Sequence, residues 1–207
     1  MDAPVLSLKD IVLSYGSERV LASVSLDVFA GEVLGIRGAN GAGKSTLLAI
    51  MAGLLKPDSG MRSASPELDG KIALVPQEIA LYPSLTGRQN LEFWAEANGL
   101  SGAPKKARIG FLLKEMKLTD KAKKRVETYS GGMKRRLNMA AALLVTPKLL
   151  LLDEPTAGLD EDSVGIILSF ITRIRDAGCA VVLVSHAGEE MKIACDRVLN
   201  LKDGELA

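Results

Sequence analysis

The chain has 207 residues, 26 Lys and Arg against 25 Asp and Glu, and a formal net charge of +1. Apolar residues make up 47% and charged residues 25%. This excludes a disordered, collagen-like or disulfide-framework protein and describes a globular chain able to hold a core without disulfides or metal. The near-balanced charge argues against a dedicated nucleic-acid binder, and the length fits one domain or one domain with a subdomain.

The first ten residues, MDAPVLSLKD, carry no basic stretch followed by an apolar one, so no signal peptide is expected. Val24, Leu26 and Val28 alternate with polar residues in Val20–Phe29, the pattern of an antiparallel, half-exposed strand. Glu32–Arg37 reads as a short strand running into a glycine-rich loop. A helix follows, with Leu47, Ile50, Met51, Leu54 and Leu55 on one face, stopped by LKPDSG. Lys71–Val75 reads as another strand. Helices are expected over Gly87–Asn98, Pro104–Met116 and Gly131–Val145.

Leu149–Leu152 and Val181–Val184 are continuous apolar runs, suited to strands buried on both faces of a parallel sheet, with a helix near Asp162–Ala177 between them. The longest apolar stretch, around Met139–Leu152, is broken by Thr146, Pro147 and Lys148, too short for the ~20 residues that span a bilayer. Work at a membrane would then need another chain to cross it. Cys179 and Cys195 do not have zinc-site spacing with His186, the lone histidine, and read as structural thiols.

Three motifs carry chemistry. Gly38-Ala39-Asn40-Gly41-Ala42-Gly43-Lys44-Ser45 fits a phosphate-binding loop between a strand and a helix. Its glycines let backbone N–H groups turn inward on an anion, and the helix adds the positive end of its dipole. Lys44 would reach the β- and γ-phosphates and Ser45 would ligate Mg²⁺. The second motif is a buried strand ending in Asp153-Glu154-Pro155. Asp153 would serve on the Mg²⁺ side and Glu154 would polarise the attacking water. The third is Tyr129-Ser130-Gly131-Gly132-Met133, with Ser130 placed to cap a helix.

With this third motif the chain resembles the ATP-binding cassette (ABC) ATPases, whose signature usually reads LSGGQ, and the resemblance covers essentially all of it. Tyr15 matches the family's adenine-stacking aromatic, and Gln77 the Q-loop. Ala157-Gly158-Leu159-Asp160 matches the D-loop, and His186, in VSHAGEE, the switch histidine. Thr46 continues the phosphate loop. Met133 departs from the usual Gln and cannot donate an amide hydrogen bond. The YSGGM variant followed by Lys134, Arg135 and Arg136 is similar to subunits of bacterial drug, antibiotic or peptide exporters.

The resemblance implies an α/β fold: a P-loop NTPase (RecA-like) core over 1–78 and 147–207, an antiparallel β subdomain, and an inserted α-helical subdomain over 79–146. It implies ATP and Mg²⁺ as ligands, with Ser45, Gln77 and Asp153 on the metal and Glu154, His186 and Lys44 as the catalytic set. Two ABC ATPase chains, identical or not, would sandwich two ATP molecules head to tail. Ser130, Gly131 and Gly132 of one would close over the nucleotide of the other, and Asp160 would link the two sites. The partner would be a separate transmembrane permease, docked near Leu81–Leu91. The chain would be cytoplasmic and peripheral on the inner face of the membrane, with no nucleic acid expected. A soluble ABC ATPase acting on ribosomes or nucleic acid is the alternative. The length is close to a minimal cassette, with little beyond Asp203-Gly204 for a regulatory tail. Between Lys105 and Arg125 stand nine Lys and Arg and only two acids, Glu115 and Asp120. That basic stretch reads first as a solvated helical face, second as a surface near an anionic leaflet, and last as a site for RNA or DNA.

Overall fold

A computed structural model describes residues 3–186 and 188–206; Ala187 of the VSHAGEE match and the first two residues lie outside them. Nine strands follow in chain order: β1 (Leu6–Tyr15), β2 (Glu18–Val28), β3 (Val33–Arg37), β4 (Ser59–Ala64), β5 (Ile72–Val75), β6 (Leu149–Asp153), β7 (Ala180–Ser185), β8 (Arg197–Lys202) and β9 (Glu205–Leu206). The helices are α1 (Lys44–Ala52), α2 (Gly87–Ala97), α3 (Gly102–Glu115), α4 (Gly131–Ala142), α5 (Glu161–Asp176) and α6 (Gly188–Ala194). One sheet is antiparallel, in the order β2-β1-β4. The other runs β5-β6-β7-β3-β8-β9, parallel through β8 and closed by the antiparallel β9. The chain thus has the expected α/β architecture, with α2, α3 and α4 inserted between β5 and β6.

The continuous apolar runs are explained by two cores, one on each face of the parallel sheet. In β6, Leu150 and Leu152 enter the core shared with α2–α5, while Leu149 and Leu151 enter the core shared with α1 and the antiparallel sheet. In β7, Val181 and Leu183 face the first core and Val182 and Val184 the second. A strand with period-two geometry and apolar neighbours on both faces has no polar position to show. The ligand-bearing loops leave the carboxyl ends of these strands, where open α/β sheets place their sites.

Two helices end earlier than expected. The helix α1 does not continue to Leu54 and Leu55, although Leu55 still packs against the core of Leu47, Ile50 and Met51. Gly53 takes φ 76° and its N–H bonds the carbonyls of Ala49 and Ile50, ending the helix after Ala52. Leu54 is left 73% exposed. Likewise α4 ends at Ala142 rather than Val145. β4 gave no sequence signal because SGMRSA is a polar edge strand with only Arg62 half-buried.

Candidate functional site

The phosphate-binding loop is shaped by contacts that only glycine permits at two points. Gly43 caps α1 at φ 94°, where a Cβ would lie 2.9 Å from the Val20 carbonyl oxygen. At Gly38 a Cβ would lie 2.5 Å from the Leu201 carbonyl oxygen. The loop is therefore pressed between β2 and β8, and its end and the first turn of α1 line a cavity. Lys44 is buried and donates to the carbonyls of Gly38 (3.0 Å) and Ala39 (2.9 Å). Its Nζ stands 3.9 Å from Glu154 Oε1.

A cavity of about 530 Å³ is lined by Tyr15, Asn40, Gly41, Gly43, Lys44, Ser45, Thr46, Gln77, Asp153, Glu154 and His186. These eleven are all sequence-predicted positions, drawn from five separate segments of the chain. Gly38 and Ala42 line the adjoining cleft instead, together with Asn40, Gly41 and His186. The cavity also takes in Glu18 and Val20 from the start of β2, which sequence reasoning missed. Their only signal is their place just after Tyr15 and the Gly16 turn.

Asp153 ends β6 and Glu154 follows at φ 48°, a left-handed backbone rare for a residue with a Cβ. The turn points both carboxylates out of the sheet edge while both stay buried. His186 Nδ1 lies 2.9 Å from each Glu154 oxygen. Nδ1 thus faces the carboxylate, and Nε2 is the ring nitrogen left for the cavity. The Ser45 hydroxyl, the Asp153 carboxylate and the Gln77 amide oxygen form a hard-oxygen set that fits Mg²⁺. Among the described residues no group of three or more His, Cys, Asp or Glu could hold a metal.

Gln77 is positioned from α4. Arg135 is buried and its guanidinium donates to the carbonyls of Gln77 and Pro76. Burial pushes that guanidinium below its ordinary value, and Asp153 and Glu154 partly offset this. Three residues on, Asn138 Oδ1 accepts from the Ala80 N–H at 3.0 Å. In the sequence Arg135 is only one of three basic residues after the signature.

Ser130, Gly131, Gly132 and Asp160 do not line the cavity. Ser130 caps α4, accepting from Met133 N–H at 3.3 Å. Asp160 caps α5, accepting from Ser163 N–H (2.8 Å) and from the Ser163 hydroxyl (3.1 Å). These bonds, the backbone one foremost, hold its carboxyl below the usual carboxylate range. The two caps touch: a Cβ on Gly132 would lie 2.3 Å from Ser163 Oγ and 3.0 Å from Asp160 Oδ2.

The ABC transporter family model matches residues 21–157. The chain belongs to this ABC family. It is 40% identical to the linearmycin resistance ATP-binding protein LnrL of Bacillus subtilis, over 98% of this chain and 68% of that protein. It is 35% identical to the doxorubicin resistance ATP-binding protein DrrA of Mycobacterium tuberculosis, over 92% of this chain and 61% of that one. Among solved structures it resembles an ATP-binding subunit of an ABC transporter, with TM-score 0.86 and 31% identity over 98% of this chain and 88% of that one. It also resembles cbiO1 of Clostridium perfringens, part of the transporter complex cbiONQ, with TM-score 0.88 and 28% identity over all of this chain and 88% of that one. As an ABC ATPase the chain binds and hydrolyses ATP. No helix among its described residues is long and apolar enough to cross a membrane.

Proposed function

We propose that this ABC ATPase powers export by a separate membrane permease, working from the cytoplasmic face as one of a pair of ATPase chains. Supporting this, the relatives include resistance proteins for linearmycin and doxorubicin and Nod factor export proteins. The same relatives disfavour a ribosomal or nucleic-acid role. The carrying observation is the single cavity joining the phosphate loop to Gln77, Asp153, Glu154 and His186.

In this reading Tyr15, 56% exposed at the cavity edge, stacks on adenine. Loop amides from Gly38 to Thr46 and the α1 N-terminus hold the phosphates, and Lys44 turns from its own loop carbonyls toward the β- and γ-oxygens. Ser45, Asp153 and Gln77 would hold Mg²⁺, which would supply positive charge against the phosphate oxygens. Glu154 orients the attacking water and accepts its proton. His186 fixes that carboxylate through Nδ1 and offers Nε2 to the γ-phosphate. Ser130, Gly131, Gly132 and Asp160 serve the nucleotide of the partner chain. Exposed Ile79 and Tyr82, just beyond Gln77, and Phe93 of α2, whose ring meets that of Tyr82, form the apolar seat for the permease.

The test is Glu154→Gln. Turnover should fall by about 10²- to 10⁴-fold, the range of a lost general base. ATP affinity by calorimetry should stay within a factor of a few. Turnover at the wild-type rate would remove Glu154 from its role.

A further inference from the structure

The basic stretch is not a loose charged tail. Its backbone is tied to the proposed permease seat: Gly87 N–H donates to the Lys124 carbonyl, Arg88 N–H to that of Ala122, and Val126 N–H to that of Leu85. From the other side the Tyr129 hydroxyl donates to the Lys121 carbonyl at 2.8 Å. The segment therefore runs beside Pro83–Arg88, immediately after exposed Tyr82. Its cations are largely unneutralised. Lys117, Lys121, Lys123 and Lys124 are exposed and make no ion pair among the described residues. Of the two acids in the stretch, Glu115 pairs outward with Arg173, and of its cations Lys105 and Arg125 are matched by Glu96 and Glu127 just outside it. Lys106 and Lys114 extend the basic surface along the outer side of α3, where Phe111 is 47% exposed.

We propose that this rigid basic rim binds the anionic phospholipid headgroups of the cytoplasmic leaflet. The proposal rests on the permease reading, because a permease seated on Ile79, Tyr82 and Phe93 turns that side of the molecule to the bilayer. Four cations on a pinned backbone lose little order on meeting a sheet of phosphates, and an exposed aromatic suits the headgroup boundary. Each basic side chain near an anionic surface multiplies the partition coefficient about fivefold.

The experiment is sedimentation of the whole chain with vesicles of phosphatidylcholine alone or mixed with phosphatidylglycerol, at low and physiological salt. Binding should need phosphatidylglycerol and weaken with salt. A triple substitution Lys121→Gln, Lys123→Gln and Lys124→Gln should lower the partition by about 100-fold with ATP turnover unchanged, and the same three changed to Arg should restore it. Equal binding to both vesicle types, no binding at low salt, or an undiminished glutamine variant overturns the proposal. So does preferential binding to transfer RNA that strips the protein from vesicles. Permease capture fails separately: Tyr82→Ser with Phe93→Ser should lose a co-expressed permease yet still bind the vesicles.

Discussion

At the scale of single residues, Lys44 and the two cysteines show how burial sets chemistry. Lys44 is held by two carbonyls and an acid inside the loop that carries it. Its ammonium must therefore exchange these partners for a phosphate when nucleotide binds. Lys44→Ala should weaken ATP by about 1.5–3 kcal/mol, the worth of hydrogen bonds to a charged group, or roughly 10- to 150-fold by calorimetry. Unchanged affinity would count against the loop as the phosphate site. Cys179 and Cys195 form no disulfide, and burial pushes their thiols up to about 11 and about 12. Raised folded values favour the neutral thiol, so this contribution to stability is present below the ordinary thiol value and lost as pH climbs toward 11–12. At pH 8 a thiol reagent should label the folded chain far more slowly than the denatured one. Rapid labelling of both would show that the thiols are open.

At the scale of elements, the signature helix α4 is the joint of the site. Its first turn touches the α5 cap through Gly132, and its second turn grips the Gln77 segment through Arg135 and Asn138. Gly131 and Gly132 look alike in sequence but differ in space. A Cβ on Gly131 meets nothing within 4 Å, while one on Gly132 strikes Ser163. Gly132→Ala should cost about 1–3 kcal/mol, the range for overpacking, and lower the melting temperature by several degrees. Gly131→Ala should leave it nearly unchanged, and Ser163→Gly should rescue Gly132→Ala. Equal melting temperatures for the two alanine variants would refute the contact.

The motif residues of the cavity were legible because phosphate and carboxylate chemistry demand fixed residue types at fixed spacing. Arg135, Ser163 and Glu18 were not, because their importance comes from long-range contacts that leave no local pattern. The end of α1 was misjudged for a related reason. Leu54 continues the helical period, and only the left-handed turn at Gly53 removes it.

At the scale of the whole molecule, the parallel sheet divides two cores, and the site sits along its carboxyl edge. The signature residues lie outside the cavity they would serve, which fits a second chain completing it. With ATP and Mg²⁺, the Glu154→Gln variant should elute from size exclusion as a dimer, and with ADP as a monomer. An ATP-loaded variant that stays monomeric would overturn the sandwich arrangement.

β6 carries one more consequence. Because leucines face both cores, sliding this strand by one residue would exchange one set of leucines for another and cost little in apolar burial. The leucines therefore hold almost no information about alignment. That information lies at the ends, where Lys148 N–H meets the Lys71 carbonyl and Glu154 N–H meets the Val184 carbonyl. A slip would pull Asp153 into a dry core and carry Glu154 off its histidine. The acidic pair at the edge is thus also the mark by which the strand finds its place in the sheet.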